Sequence, residues 1–100
     1  MIRFNIHAEI YKHADDIPEP VAAFYRNAPH HSFQDEINRL EEGLNQYTGD
    51  TPARNYFKWL FLGLCHYLLG RKSYVACLER AEEAAFFPAF LPLIVKLKYE

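Results

Sequence analysis

The fold is decided by one stretch near the middle of the chain, residues 53–69, which reads ARNYFKWLFLGLCHYLL. Polar side chains are spread over its first turns as far as Lys58, and from Trp59 onward almost every position is apolar. A helix that is apolar on all sides is buried on all sides. Gly70 follows, and glycine is the residue type that commonly ends a helix. The stretch therefore predicts a buried central helix over about 53–69.

Amphipathic segments flank this central helix on both sides. In the segment before it, apolar residues recur every three or four positions: Phe33, Ile37, Leu40, Leu44 and Tyr47. In the segment after it, one side carries Tyr74, Cys77, Leu78, Ala81 and Ala85. Such spacing is typical of surface helices with one apolar face, and it predicts helices over about 33–47 and 72–86. A shorter helix over about 20–28 ends before Pro29, because the residue preceding a proline is disfavoured in the α region.

These segments predict an all-α fold of four to five helices, arranged as two antiparallel helix hairpins around the central helix. Gly63 lies in the middle of that helix, where glycine costs about 1 kcal/mol relative to alanine. Close approach of another helix is the usual compensation. The expected partner is the small-residue face formed by Ala81, Ala84 and Ala85.

Both termini leave two readings open. Residues 2–10 alternate between apolar and polar side chains, and residues 93–100 alternate in a similar way. A period of two is typical of a strand, so the two segments predict a pair of short terminal strands. The alternative is that both are helical turns packed on the body of the fold.

Length and composition limit the classes of function. One hundred residues, half of them apolar, predict a single helical domain over 1–100. A formal charge of −2 offers no basic footprint for nucleic acid and no polybasic segment for anionic lipid. The longest apolar stretch, residues 56–69, is shorter than the roughly 20 residues of a membrane span. Two cysteines do not make a disulfide framework, so we expect a cytoplasmic protein with reduced thiols.

The sequence shows no pattern typical of catalysis, a cofactor or a metal. The five histidines lack metal-ligand spacing, and Cys65 and Cys77 lie on predicted apolar faces, where a thiol is inert. The acidic pairs Glu41-Glu42 and Glu82-Glu83 fall on predicted solvent-facing sides of helices. No glycine-rich phosphate loop occurs among the four glycines. We therefore predict no catalytic, cofactor-binding or metal-binding residues, and a protein that is not an enzyme.

One motif in the central helix and the segment after it resembles a tetratricopeptide repeat. Trp59, Leu62-Gly63, His66-Tyr67 and Gly70 are followed by Ala76 and, beyond an amphipathic helix, Pro88. The segment from Phe33 to Leu44 looks like the second helix of a preceding, more degraded repeat. The resemblance covers residues 20–92 and implies two helix hairpins. It also implies a binding role such as that of the small chaperones of bacterial secretion machines, which sequester an apolar helix of a client.

A second layout is similar to an uncharacterised family of small all-helical prokaryotic proteins. The matching positions are Phe33, Leu40-Glu41, Thr48-Gly49, His66, Gly70 and Leu78 with Ala81. Members of that family carry a His-Glu pair shortly before the Leu-Glu, and here those places hold Ile37 and Asn38. This resemblance implies the same helical architecture and no particular reaction.

The predicted function is a protein–protein interaction module, an adaptor or small chaperone, that binds a partner helix or a second copy of itself. The predicted contact residues are Phe57, Leu60, Leu64 and Tyr67 on the central helix and Phe86, Phe87 and Phe90 in the connector after the last amphipathic helix. Three large rings in a connector are more than a turn needs, so we expect at least one to contact another chain, in a homodimer or a heterocomplex. The alternative is an immunity or antitoxin-like inhibitor, which would present Asp35, Glu36, Glu41 and Glu42 as one exposed acidic stripe.

Overall fold

The computed structural model describes residues 12–27 and 32–99. Five α-helices follow one another in these two ranges: α1 (Glu19–Asn27), α2 (Phe33–Gln46), α3 (Pro52–Leu68), α4 (Tyr74–Ala84) and α5 (Leu91–Lys98). Short 3₁₀ turns cover Ala14–Asp16 and Pro88–Phe90. No strand occurs in either range. The prediction of an all-α fold is confirmed.

Local chemistry explains where the helices begin and end. The Ser32 hydroxyl oxygen accepts a hydrogen bond from the backbone N–H of Asp35 at 3.2 Å, which satisfies one of the free donors of the first turn of α2. Thr51 does the same for α3, accepting from the N–H of Arg54 at 3.1 Å. Gly70 adopts a φ of 74° beyond the end of α3, a left-handed conformation that favours glycine.

The central helix α3 packs along α4 on one side and against α2 on another, and α2 also packs against α1. Short connections join α1 to α2 and α3 to α4, and such connections place successive helices antiparallel. Together they form the two hairpins. The core lies around α3, whose Phe57 and Leu60 side chains are fully buried. None of the helices in the two described ranges is long and apolar enough to cross a bilayer.

Gly63 does mark the closest approach of α3 and α4, but the partner differs from the one expected. A Cβ atom placed on Gly63 would lie 2.8 Å from Leu78 Cδ2 and 3.4 Å from the Tyr74 carbonyl oxygen. The expected contact with the alanine face is therefore wrong. The first half of α4 crosses Gly63, and a branched leucine fills the space that the missing side chain leaves.

Of the two alternatives for residues 93–100, the strand is wrong and the helical one is confirmed in the described part of that segment, which lies in α5 as far as Lys98. Ile94 and Leu97, three residues apart, are buried, whereas Val95 is 45% exposed. Burial with a helical period explains the error, because a run that is apolar at nearly every position also contains an apparent alternation of two. The predicted strand over 2–10 lies outside the described residues.

The composition of the central helix led us to expect burial on all sides, and this expectation is wrong. Leu64 is half-buried and Leu68 is 51% exposed. Near this end of α3, the side chains of α1 and α2 line an open groove instead of closing over the helix. That groove is the first feature of functional interest.

Candidate functional site

The structure separates the predicted contact residues into buried and accessible ones. Phe57, Leu60 and Phe90 are fully buried, so in this conformation they are core residues and not contact residues. Phe87 is half-buried, and its ring centroid lies 5.1 Å from that of Phe57 and 4.7 Å from that of Tyr56. Two of the three connector rings therefore close the core of their own chain.

Phe86, the third connector ring, is 75% exposed. Leu91, Val95 and Tyr99 follow it and are also exposed, at spacings of four residues that place them on one face of α5. We call these four side chains the C-terminal surface. Scattered exposed apolar residues are ordinary, but Leu91, Val95 and Tyr99 lie in one line along α5 and the residue that ends it, which makes this side a candidate binding surface.

The two remaining predicted residues lie on α3. Tyr67 is half-buried and packs edge-on against Tyr74, with ring centroids 5.2 Å apart. Leu64 lines the open groove noted above. All the side chains around that groove are apolar: Val21, Phe24, Phe33, Ile37, Leu40, Phe61, Leu64, Cys65 and Leu68. We call it the apolar groove.

The apolar groove has a volume of about 170 Å³. Sites for small molecules measure roughly 300–1,000 Å³ and carry a few polar groups that orient the ligand. This groove is smaller, and the described residues that line it include no polar side chain. Phe33 and Leu68, at 62% and 51% exposure, provide further apolar area. The dimensions suit a few apolar side chains projecting from another polypeptide.

The residues of the predicted acidic stripe do not form an exposed face. Glu36 is buried, at 3% exposure, and only 15% of the Glu41 side chain is exposed. Asp35 and Glu42 alone remain exposed. The expectation that Glu41 faces solvent is wrong, because Glu41 lies four residues after the buried Ile37 and shares its side of α2.

Glu41 belongs to a polar cluster that joins three helices. Its Oε2 atom lies 3.0 Å from His66 Nε2 in the last turn of α3, and it also accepts a hydrogen bond from Arg71 in the turn that follows. His66 Nδ1 lies 2.6 Å from the Ser73 hydroxyl oxygen at the start of α4. The polar cluster thus consists of Glu41, His66, Arg71 and Ser73.

Hydrogen-bond chemistry assigns the donors in this cluster. A carboxylate only accepts, so a hydrogen bond across the 3.0 Å between His66 Nε2 and Glu41 Oε2 requires the ring proton on Nε2. In a neutral imidazole of that tautomer, Nδ1 accepts a hydrogen bond from the Ser73 hydroxyl group. The Arg71 N–H donates to the His66 carbonyl oxygen at 2.9 Å and closes the turn that follows α3. This hydrogen bond holds His66 and Arg71 close together.

The two cysteines are not activated as nucleophiles. Burial raises the pKa of the Cys65 thiol to about 12, and burial likewise raises the pKa of the Cys77 thiol. Cys77 Sγ lies 4.0 Å from His66 Nδ1, farther from the imidazole than the Ser73 hydroxyl oxygen. Across the part of the chain that the structure describes, no three histidine, cysteine or acidic side chains are placed to share a metal ion.

The sequence analysis assigned no catalytic role to Glu41, His66 or Ser73. Glu41 and His66 did stand out in the sequence, since Leu40-Glu41 and His66 are both matching positions in the second resemblance. The spacing of Glu41 from Ile37 was a further sign that its side chain turns inward. Comparisons with family models, curated proteins and solved structures find no match to this chain.

Proposed function

We propose that this chain is a protein–protein interaction module that binds an amphipathic helix of a partner protein in the apolar groove. The observation that carries the proposal is the groove itself, because every described residue that lines it is apolar and two of these, Phe33 and Leu68, are exposed. Helices bind to such grooves through side chains spaced three and four residues apart.

The inhibitor with an acidic face has less support. It requires four carboxylates on one exposed stripe, but Glu36 is buried and Glu41 is engaged by His66 and Arg71. An inhibitor of this kind needs an exposed acidic stripe, and a helix-binding module needs an apolar groove. The described residues form the groove, which supports the second function.

Binding in the groove also has a sufficient energy source. Full burial of one large apolar side chain contributes roughly 1.5–3 kcal/mol. Phe33 and Leu68 each have half or more of their surface still to bury. Burial of the rest of these two side chains, together with the partner's own apolar side chains, would favour the complex against the entropy cost of association. Two unpaired cysteines are typical of reducing compartments, which supports a cytoplasmic setting for this complex.

Affinity purification from the native host tests the proposal with two matched variants. Leu68→Glu places a charge beside the apolar groove, and Val95→Glu places the same charge on the C-terminal surface, at a residue of similar exposure. We expect one protein to co-purify with the wild type and with V95E but not with L68E. A partner that is retained by L68E, or is lost only in V95E, would contradict binding in the groove.

Self-association is the second candidate function, and the C-terminal surface favours it. Phe86, Leu91, Val95 and Tyr99 are all exposed, and the last three form one stripe on α5. Two copies of that stripe packed together would bury the four side chains of each chain. In that case V95E has a lower apparent mass than the wild type in light scattering, and L68E has the same apparent mass as the wild type.

A further inference from the structure

Ser73 differs from an ordinary residue at the start of a helix. A serine at this position normally accepts a hydrogen bond from an amide of the first turn, and Ser32 does so at the start of α2. Ser73 precedes α4 with a backbone that is already helical (φ −63°, ψ −8°), whereas that of Ser32 is extended, and its hydroxyl group makes no such bond. Its hydroxyl group is instead engaged by His66 Nδ1 at 2.6 Å.

The other side of the imidazole is held by a carboxylate. Glu41 Oε2 lies 3.0 Å from His66 Nε2, and the two side chains are only 15% and 18% exposed. Ser73, by contrast, is exposed. An activated nucleophile has three parts: a hydroxyl group, an imidazole beside it and a carboxylate beside the imidazole. Here the hydroxyl group lies at the surface and the carboxylate is largely buried.

From this arrangement we propose that Ser73 is a nucleophile toward short-chain carboxylic esters, with His66 as its general base. Glu41 is a positioning residue, which holds the imidazole in the tautomer whose Nδ1 accepts the serine proton. Arg71 keeps the Glu41 carboxylate in place. This activity is separate from binding in the apolar groove, and either can fail without the other.

The reaction proceeds in two balanced steps. Ser73 Oγ attacks the ester carbonyl carbon while His66 Nδ1 takes the hydroxyl proton. The bond to the leaving alkoxide then breaks, and the alkoxide receives that proton and departs as the alcohol. In the second step His66 takes a proton from water, the hydroxide attacks the acyl group on Ser73, and the carboxylic acid leaves as the serine regains its proton.

The proposed reaction needs donors for the negative charge that develops on the carbonyl oxygen, and the amides of the first turn of α4 directly follow Ser73. The N–H groups of Tyr74 and Val75 donate to the Arg71 and Lys72 carbonyl oxygens at 3.4 and 3.5 Å. Those distances are at the long limit of a hydrogen bond. These amides are therefore weakly engaged within the helix, and the positive end of the helix dipole adds to their effect.

The test uses the full chain and two probes, a fluorophosphonate and p-nitrophenyl acetate. We expect the fluorophosphonate to attach to Ser73, located by mass spectrometry of peptides, and p-nitrophenyl acetate to give a burst of one nitrophenolate per chain. Ser73→Ala abolishes both signals. Ser32→Ala is the matched control, since Ser32 is an exposed serine at a helix start whose hydroxyl oxygen accepts a hydrogen bond from the backbone N–H of Asp35.

Variants of the other two residues separate chemistry from structure. His66→Gln lowers the rate of serine labelling by about 100-fold, the scale of general-base assistance. Glu41→Gln lowers the rate, and Glu41→Asp, which keeps the carboxylate, restores part of it. Melting curves by circular dichroism accompany each variant, so that loss of labelling in a folded protein is attributed to the cluster. Absence of labelling in the wild type, equal labelling of Ser32, or a rate unaffected by His66→Gln would overturn the proposal.

Discussion

Among single residues, Gly63 sets how closely α3 and α4 approach each other. Replacement by alanine improves helix propensity by about 1 kcal/mol. It also places a Cβ atom 2.8 Å from Leu78 Cδ2 and 3.0 Å from Leu78 Cγ, closer than van der Waals contact allows. Overpacking of this kind costs about 1–3 kcal/mol. The overpacking cost exceeds the gain in propensity, so we expect Gly63→Ala to destabilise the fold by up to about 2 kcal/mol in urea denaturation.

The Leu78→Ala background provides the control for Gly63→Ala. Removing the leucine costs stability on its own, because Leu78 is fully buried. It also removes the atoms that meet the new Cβ. Gly63→Ala should then become neutral or stabilising. A cost that is the same in both backgrounds would show that the close approach is not the cause.

The burial of the two cysteine thiols leads to a second prediction about single residues. Because burial raises the pKa of Cys65 to about 12 and also raises the pKa of Cys77, neither thiol is ionised at pH 8 in the folded chain. Iodoacetamide should therefore modify neither in the native protein and both after unfolding in urea, as measured by intact mass. Fast labelling of either thiol in the folded protein would contradict their burial.

The same shift has a consequence for stability with a definite sign. Between the ordinary thiol value of about 9 and about 12, the unfolded chain loses the Cys65 proton while the folded chain keeps it. The unfolded state then binds fewer protons, so the free energy of unfolding falls as the pH rises through this interval.

At the scale of elements, α3 is the helix on which the others pack, and its two sides differ. Leu60 is fully buried, whereas Leu64, one turn later, is half-buried beside the apolar groove. An unpaired buried carboxylate costs several kcal/mol, and a domain has about 5–15 kcal/mol in total. Leu60→Asp should therefore unfold the domain, and Leu64→Asp should leave a folded protein with a lower melting temperature.

Circular dichroism spectra and melting curves of the two variants check this prediction. A helical spectrum and an unchanged melting temperature for Leu60→Asp would show that α3 is not the centre of the core. Unfolding by Leu64→Asp to the same extent would show that the apolar groove is closed in solution.

The helices themselves could be predicted from the sequence because local signals agree with the packing. Periodicity, the Ser32 cap and the Gly70 stop place α2 and α3 within about two residues of their observed bounds. The inward turn of Glu41 could not be predicted in the same way. A glutamate on an amphipathic helix is expected to face solvent; its spacing from Ile37 places Glu41 on the inner side of α2, and the partners that hold the carboxylate, His66 and Arg71, lie outside that helix.

The candidate sites depend even more on tertiary packing. Composition indicated that the aromatic residues of the connector exceed what a turn needs, but it could not tell which of them close the core. Phe87 and Phe90 pack on Phe57, and Phe86 alone of the three is left exposed. The apolar groove likewise arises from side chains of three helices, and no single segment shows it.

At the scale of the whole molecule, two apolar surfaces remain uncovered in the described part of the chain, the apolar groove and the C-terminal surface. For the C-terminal surface we expect self-association. The double variant Phe86→Ser and Val95→Ser should lower the apparent mass in light scattering and leave the helical circular dichroism spectrum unchanged, because both side chains are exposed. A wild type that stays at 11.8 kDa at its highest soluble concentration would contradict this expectation.

The central claim is that the apolar groove binds a helix of another protein, and photo-crosslinking in the native host tests it most directly. A p-benzoylphenylalanine residue replaces Leu68 beside the groove in one strain and Val95 on the C-terminal surface in another. We predict that irradiation joins position 68, and not position 95, to one partner protein, through residues on one face of an amphipathic helix. No adduct at position 68, or an adduct with the same protein only at position 95, would contradict the claim.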